Sequence, residues 1–230
     1  MNEKKDVYTM IGPLECLTAL PENYEKGKKY PVLIWLHGAG SRGNTRGLFD
    51  NPLAQDDSLR AKKGFLFFAP HIVEPEHAWF AYFERLYETV KIITERDDVD
   101  MTRVCLMGAS MGGYGTWEFA KQNPQFFSCI VPICGGGMKW NCYRLTNVPV
   151  WAFHGALDTS VDPMETLRMV TEVNKIGGNA RMTLLEKADH DAWNPAFRCE
   201  ELFDWMLSKR LSGYEDQPEN NELADPVRFG

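Results

Sequence analysis

Val104–Gly115, VCLMGASMGGYG, is the stretch on which the reading of this chain turns. A short apolar run, Val104 to Met107, enters Gly108-Ala109-Ser110-Met111-Gly112 and leaves as a helical pattern from Gly113 to Gln122. A serine held at a tight turn between a buried strand and a helix lifts its hydroxyl above the sheet, so G-x-S-x-G in that setting is a nucleophile elbow. Side chains at Gly108 and Gly112 would crowd the turn, and Ser110 itself must take a strained backbone. Gly113 lets the helix pack closely, and the helix start places a positive field where an oxyanion would develop.

Similar apolar runs lie on both sides of this one: Tyr30–Leu36, Phe65–Ala69, Ser128–Ile133, Val150–Phe153 and Arg181–Leu185. Continuous apolar runs, rather than strict alternation, suit parallel strands covered on both faces. Amphipathic helical patterns separate them at Trp79–Glu95, Pro163–Ile176 and Ala196–Leu207. Strands alternating with helices predict βαβ crossovers and an α/β fold with one mainly parallel sheet. Residues 10–20 add one or two antiparallel edge strands. The polar stretch from Gly38 to Lys63 reads as a loop with one short helix near Ser58. The expected organisation is a single catalytic domain over residues 1–212 and an acidic tail over 213–230, docked or frayed.

Composition narrows the function. The 230 residues are 44% hydrophobic and 25% charged, enough for a real core. Thirty-two acids against 25 Lys and Arg give a net charge of −7, which disfavours nucleic acid and anionic membranes as partners. Six cysteines form no C-x-x-C pair, and Cys105 and Cys129 read as buried reduced thiols. The opening MNEKKDVYTM has no apolar h-region, so the sequence as given predicts a cytoplasmic protein, or a secreted or periplasmic one if a leader has been removed.

A serine nucleophile needs a base, and the base an orienting acid. Downstream stand Asp158, just beyond the Val150–Phe153 run, and His190, just beyond the Arg181–Leu185 run. Loops at the carboxyl ends of parallel strands converge across such separations. Asp162 competes as the acid, but an aspartate before Pro163 reads more simply as a helix N-cap. Leu36-His37-Gly38-Ala39-Gly40 supplies an oxyanion loop. The backbone N–H groups of Ala39 and Met111 are its expected donors, with Gly38 and Gly40 as shapers. The loop lacks the G-K-[ST] ending of a phosphate cradle, and no dinucleotide fingerprint is present, so no cofactor is expected. His37 and His154 read as hydrogen-bonded framework. His190 flanked by Asp189 and Asp191 makes a poor metal set, so no metal is expected. For the substrate pocket the candidates are Trp140 first, then Trp79, Trp193 and His71. No long insertion separates Ser110 from Asp158, which predicts an open cleft without a large lid.

Several motifs together resemble one group: LPENY (Leu20–Tyr24), YPVLIWLHGAGSRGN (Tyr30–Asn44), GASMGGYGTW (Gly108–Trp117), PICGGG (Pro132–Gly137), PVWAFHGALDTSV (Pro149–Val161) and DHDAWNPAF (Asp189–Phe197). The chain resembles the α/β-hydrolase superfamily, and within it the compact bacterial esterases called predicted peptidases or polyhydroxybutyrate-depolymerase-like esterases, which include feruloyl esterases. The resemblance implies Ser110 as nucleophile, Asp158 as acid and His190 as base. It departs from the family pattern at Ser41, where Glu is usual, and at His71, often Gln. It implies a small-molecule or oligosaccharide ester as substrate, such as a hydroxycinnamoyl or small acyl ester of a sugar. The rival readings are a serine aminopeptidase or oligopeptidase, with Glu74 or Glu76 as amine anchors, and a non-catalytic binding module. Oligomeric state is not legible.

Overall fold

A computed structural model describes residues 6–211 and 213. Its eight strands are β1 (Asp6–Ile11), β2 (Leu14–Ala19), β3 (Tyr30–Leu36), β4 (Leu66–Pro70), β5 (Val99–Ala109), β6 (Cys129–Ile133), β7 (Val150–Gly155) and β8 (Ala180–Leu185). They form one sheet in the order β1-β2-β4-β3-β5-β6-β7-β8. The β1–β2 and β2–β4 pairs are antiparallel, and every later pair is parallel. The helices are α1 (Arg46–Phe49), α2 (Leu59–Lys62), α3 (Phe83–Thr94), α4 (Met111–Gln122), α5 (Pro163–Lys175), α6 (Trp193–Phe197) and α7 (Glu200–Ser208). The single helix expected over Ala196–Leu207 is in fact two, α6 and α7, with Cys199 in extended backbone between them. Residues 212 and 214–230 lie outside the described set, and with them nearly all of the expected tail.

Alternate strand residues feed two cores. One face buries Val32, Ile34, Val104, Leu106 and Ile130 against Leu86 and Val90 of α3, Trp117 of α4 and Met169 and Val173 of α5. The other buries Leu33, Trp35, Cys105, Met107 and Val131 against Phe197 of α6 and Leu202, Phe203 and Met206 of α7. Burial at roughly 25 cal/mol per Å² on both faces is what makes the strands read as unbroken apolar runs. The parallel strands all end at one edge, and the loops carrying Ser110, Asp158 and His190 leave from it.

The weakly patterned stretch after β3 is organised by side chains rather than by periodicity. Arg60 is fully buried and its guanidinium donates to Leu53 O at 2.8 Å, Leu20 O at 2.7 Å and Phe65 O at 3.0 Å. The N-cap of α2 is Ser58, whose hydroxyl accepts from Ala61 N. Together they fix the segment that walls the cleft. Among the described residues no helix is long and apolar enough to cross a membrane, and no large lid covers the sheet edge.

Candidate active site

Ser110 sits between β5 and α4 with φ 57° and ψ −119°, a left-handed conformation that L side chains rarely adopt. The cost, about 1–3 kcal/mol, is met by tight surroundings. A Cβ on Gly108 would lie 2.7 Å from the Gly112 carbonyl carbon and from Thr116 Oγ1. One on Gly112 would lie 2.6 Å from Leu36 C and 2.8 Å from His37 O. Both positions therefore need glycine. Gly38 and Gly40 do not: Gly38 is extended with only ordinary contacts, and nothing lies within 4 Å of a Cβ on Gly40.

Three strand ends meet at the serine. His190 Nε2 is 2.9 Å from Ser110 Oγ, and His190 Nδ1 is 2.7 Å from Asp158 Oδ2. Nδ1 faces a carboxylate and so carries the ring hydrogen, leaving Nε2 free to accept the serine proton. Asp158 Oδ1 accepts the backbone N–H groups of Ser160 and Val161, each at 2.9 Å. Burial pushes this carboxyl up, but the N–H of Val161, His190 and the N–H of Ser160 together outweigh it and hold Asp158 below the ordinary carboxylate range. Asp162 instead caps α5, accepting Met164 N at 2.9 Å.

Two further residues brace this set from behind. His154 Nε2 faces only acceptors and so carries hydrogen, which it donates to Val161 O at 2.9 Å while lying 3.2 Å from Asp158 Oδ2. Cys134, the other non-glycine with positive φ (47°) among the described residues, donates its thiol to His190 O at 3.1 Å. Cys134, His154 and Asp158 bring a thiol, an imidazole and a carboxylate within 4.8 Å of one another. All three are already engaged, and burial pushes the Cys134 thiol up to about 12, so the cluster is wired to hold the loops.

On the other side lies the oxyanion loop. Ala39 and Met111 each begin a helical turn, so neither amide has an acceptor within its own helix. No backbone carbonyl among the described residues takes either one. Buried His37 accepts Ile72 N–H at Nε2 and therefore donates from Nδ1 to Gly38 O at 2.8 Å, fixing the peptide whose other end is the Ala39 N–H. Burial lowers this imidazole to about 4, which keeps it neutral. Trp79 and His71, expected on the cleft wall, belong to the same support. Trp79 is fully buried and donates its indole N–H to His37 O at 2.9 Å. His71 is buried too, with Nε2 2.9 Å from Ser41 O and Nδ1 2.7 Å from the Tyr8 hydroxyl.

The cleft is a cavity of about 670 Å³ beside Ser110 and His190, within the usual range for ligand pockets. Its floor is aromatic: Trp35, Phe197 and Trp193 all line it. Trp35 meets Phe197 edge-on with ring centres 5.2 Å apart, and Trp193 meets the His190 ring edge-on at 5.5 Å. Of the four pocket candidates only Trp193 is there. Trp140 is 79% exposed, in a 3₁₀ turn over Lys139–Leu145 that does not line the cavity. Glu74 and Glu76 do not line it either. Trp35 lies in the apolar Tyr30–Leu36 run and Asn51 in the weakly patterned stretch after it, and no signal in their sequence neighbourhood marks either as facing the cleft.

Comparisons with known proteins bear on this geometry. Residues 81–147, which carry the elbow, match the model of the prolyl oligopeptidase family. Among curated proteins none matches the chain. A solved thermostable esterase is 27% identical, with a TM-score of 0.74 over 90% of this chain and 63% of its own. The fold is that of the α/β-hydrolases. Among α/β-hydrolase structures, Est1E from Butyrivibrio proteoclasticus is 14% identical with a TM-score of 0.66, covering 89% of this chain and 98% of its own. An acylaminoacyl peptidase from Pyrococcus horikoshii is 13% identical with a TM-score of 0.66, over 95% of this chain and 43% of that one.

Proposed function

We propose that this protein is a serine carboxylic-ester hydrolase working through an acyl-enzyme. The observation that carries the reading is the relay from Ser110 Oγ through His190 to Asp158, at 2.9 and 2.7 Å. His190 Nε2 takes the Ser110 proton as Oγ attacks the ester carbonyl. The Ala39 and Met111 N–H groups hold the resulting oxyanion. His190 then gives its proton to the departing alcohol, and afterwards takes one from the water that releases the acid. Asp158 keeps the imidazole in the required tautomer throughout. The aromatic floor favours an acyl group or sugar that presents a flat face, worth roughly 0.5–1.5 kcal/mol beyond area burial. A hydroxycinnamoyl ester is the flat acyl group we propose for it, a reading supported by the fold-level likeness to Est1E, which has been determined with ferulic acid bound.

A serine peptidase is the second reading, favoured by the prolyl oligopeptidase match over residues 81–147 and by the acylaminoacyl peptidase likeness. Against it, the acids expected to anchor a peptide amine, Glu74 and Glu76, stand away from the cavity. The experiment has two stages. A fluorophosphonate label should attach to the parent and not to Ser110→Ala, which separates enzyme from binder. A panel of acetyl and feruloyl esters against peptide amides follows. Faster turnover of amides than of matched esters would replace the esterase reading with the peptidase one.

A further inference from the structure

Asn51 stands apart from the machinery described above. It is 7% exposed, it lines the cavity beside Ser110, and its side chain is only half engaged. Its Oδ1 accepts Leu53 N–H at 2.8 Å, which settles which end of the amide is which. The remaining Nδ2 carries two N–H donors, and among the described residues no acceptor takes either. The indole N–H of Trp35, on the cavity floor, likewise has no acceptor among them. Neither nitrogen is sealed from solvent, so both donors are open to the cleft they line, and a substrate acceptor placed there meets a donor the fold already holds in position. No Lys or Arg lines the cavity, so nothing there is placed to pair with an anionic group. The acceptor that fits is neutral: an ether, methoxy, hydroxyl or carbonyl oxygen.

We infer that Asn51 is a specificity residue, whose amide N–H donors read a neutral hydrogen-bond acceptor on the ring-bearing arm of the substrate lying over Trp35 and Phe197. The inference rests on the ester-hydrolase reading, and its test keeps the two apart. Substrate pairs of one shape differ only in an ether oxygen against a methylene. For the acyl arm they are methyl methoxycinnamates against methyl ethylcinnamates, substituted at the 3- or 4-position. For the alcohol arm they are methoxyphenyl against ethylphenyl acetates. The parent enzyme should prefer oxygen by about threefold to tenfold in kcat/KM in at least one pair, as one neutral hydrogen bond allows. Asn51→Asp keeps the acceptor for Leu53 N–H and removes the donors, so that preference should fall to one or below, with a melt run alongside. Equal turnover of every pair by the parent overturns the inference without any variant. So does a preference that survives in a folded Asn51→Asp protein. If none of these esters is hydrolysed, the esterase reading fails first.

Discussion

Replacing Gly112 by alanine tests whether the elbow and the oxyanion loop form one rigid unit. A Cβ there would stand 2.6 Å from Leu36 C and 2.8 Å from His37 O, both main-chain atoms of the strand end that feeds the loop. The Leu36 carbonyl oxygen would be closer still, and ordinary contact needs about 3.4 Å or more, so α4 and the β3 end must separate by more than an ångström. Overpacking of this kind costs about 1–3 kcal/mol, and a backbone neighbour puts it at the upper end. For a chain of this size that is a fall in melting temperature of roughly 5–10 °C. The shift also moves the Met111 and Ala39 amides relative to Ser110 Oγ, and an ångström of misplacement can cost about a hundredfold in rate. Gly40→Ala is the matched control in the same loop, where nothing lies within 4 Å of the added methyl. Its stability should stay within about 0.5 kcal/mol of the parent. The assay is a thermal melt and kcat on a small acetate ester for all three proteins. If Gly112→Ala melts within 2 °C of the parent with turnover within threefold, or if Gly40→Ala does the greater damage, the packing argument is refuted.

Other perturbations follow from the same contacts. Asp158→Asn should fold yet lose several orders of magnitude in turnover, because the imidazole loses its orienting carboxylate. Asp162→Ala should cost about 1 kcal/mol through the lost cap on α5 and leave turnover nearly intact; the reverse pattern would move the acid to Asp162. Trp140→Ala should leave the feruloyl-to-acetyl efficiency ratio within twofold, and a selective loss on the feruloyl ester would return Trp140 to the pocket. His37, lowered to about 4 by burial, makes the fold sensitive to acid. Above pH 6.5 both states are neutral, and below that value the unfolded chain gains a proton that the folded one refuses. Stability therefore drains between pH 6.5 and about 4, by up to roughly 3 kcal/mol. His37→Asn keeps a donor for Gly38 O but should melt with a visibly flatter pH dependence over that window; parallel curves would refute this.

The elbow was legible because its chemistry is local: one serine, two glycines that no side chain can replace, and a strand and helix written into the flanking periodicity. Asp158 and His190 were legible by chain order, since strand ends of a parallel sheet share one edge. The walls were not. Trp79, Trp140 and Trp193 all follow strand ends, and the sequence carries nothing that separates a core indole hydrogen-bonded to His37 O from one standing in solvent. His71 read as a cleft residue because it follows Pro70, yet its ring turns the other way, to Tyr8 and Ser41 O. The segment after the oxyanion loop escaped for a different reason. Its course is set by Arg60 and Asn51 bonding to main-chain groups, and such bonds leave no periodic trace.

Those support residues explain how a strained site stays in register. Ser110 and Cys134 are the two non-glycine residues at positive φ among the described residues, and they sit at the ends of neighbouring strands. The Ser110 N–H donates to Ile133 O at 2.9 Å, and the next residue, Cys134, donates its N–H to Phe153 O at 2.9 Å and its thiol to His190 O. The nucleophile and the base are thus tied to two successive residues, Ile133 at the end of β6 and Cys134 just beyond it. His154, at the end of β7, stands 3.2 Å from the same Asp158 oxygen that His190 engages. A substitution at the β6 end reaches both Ser110 and His190, whereas one at His154 reaches Asp158 first.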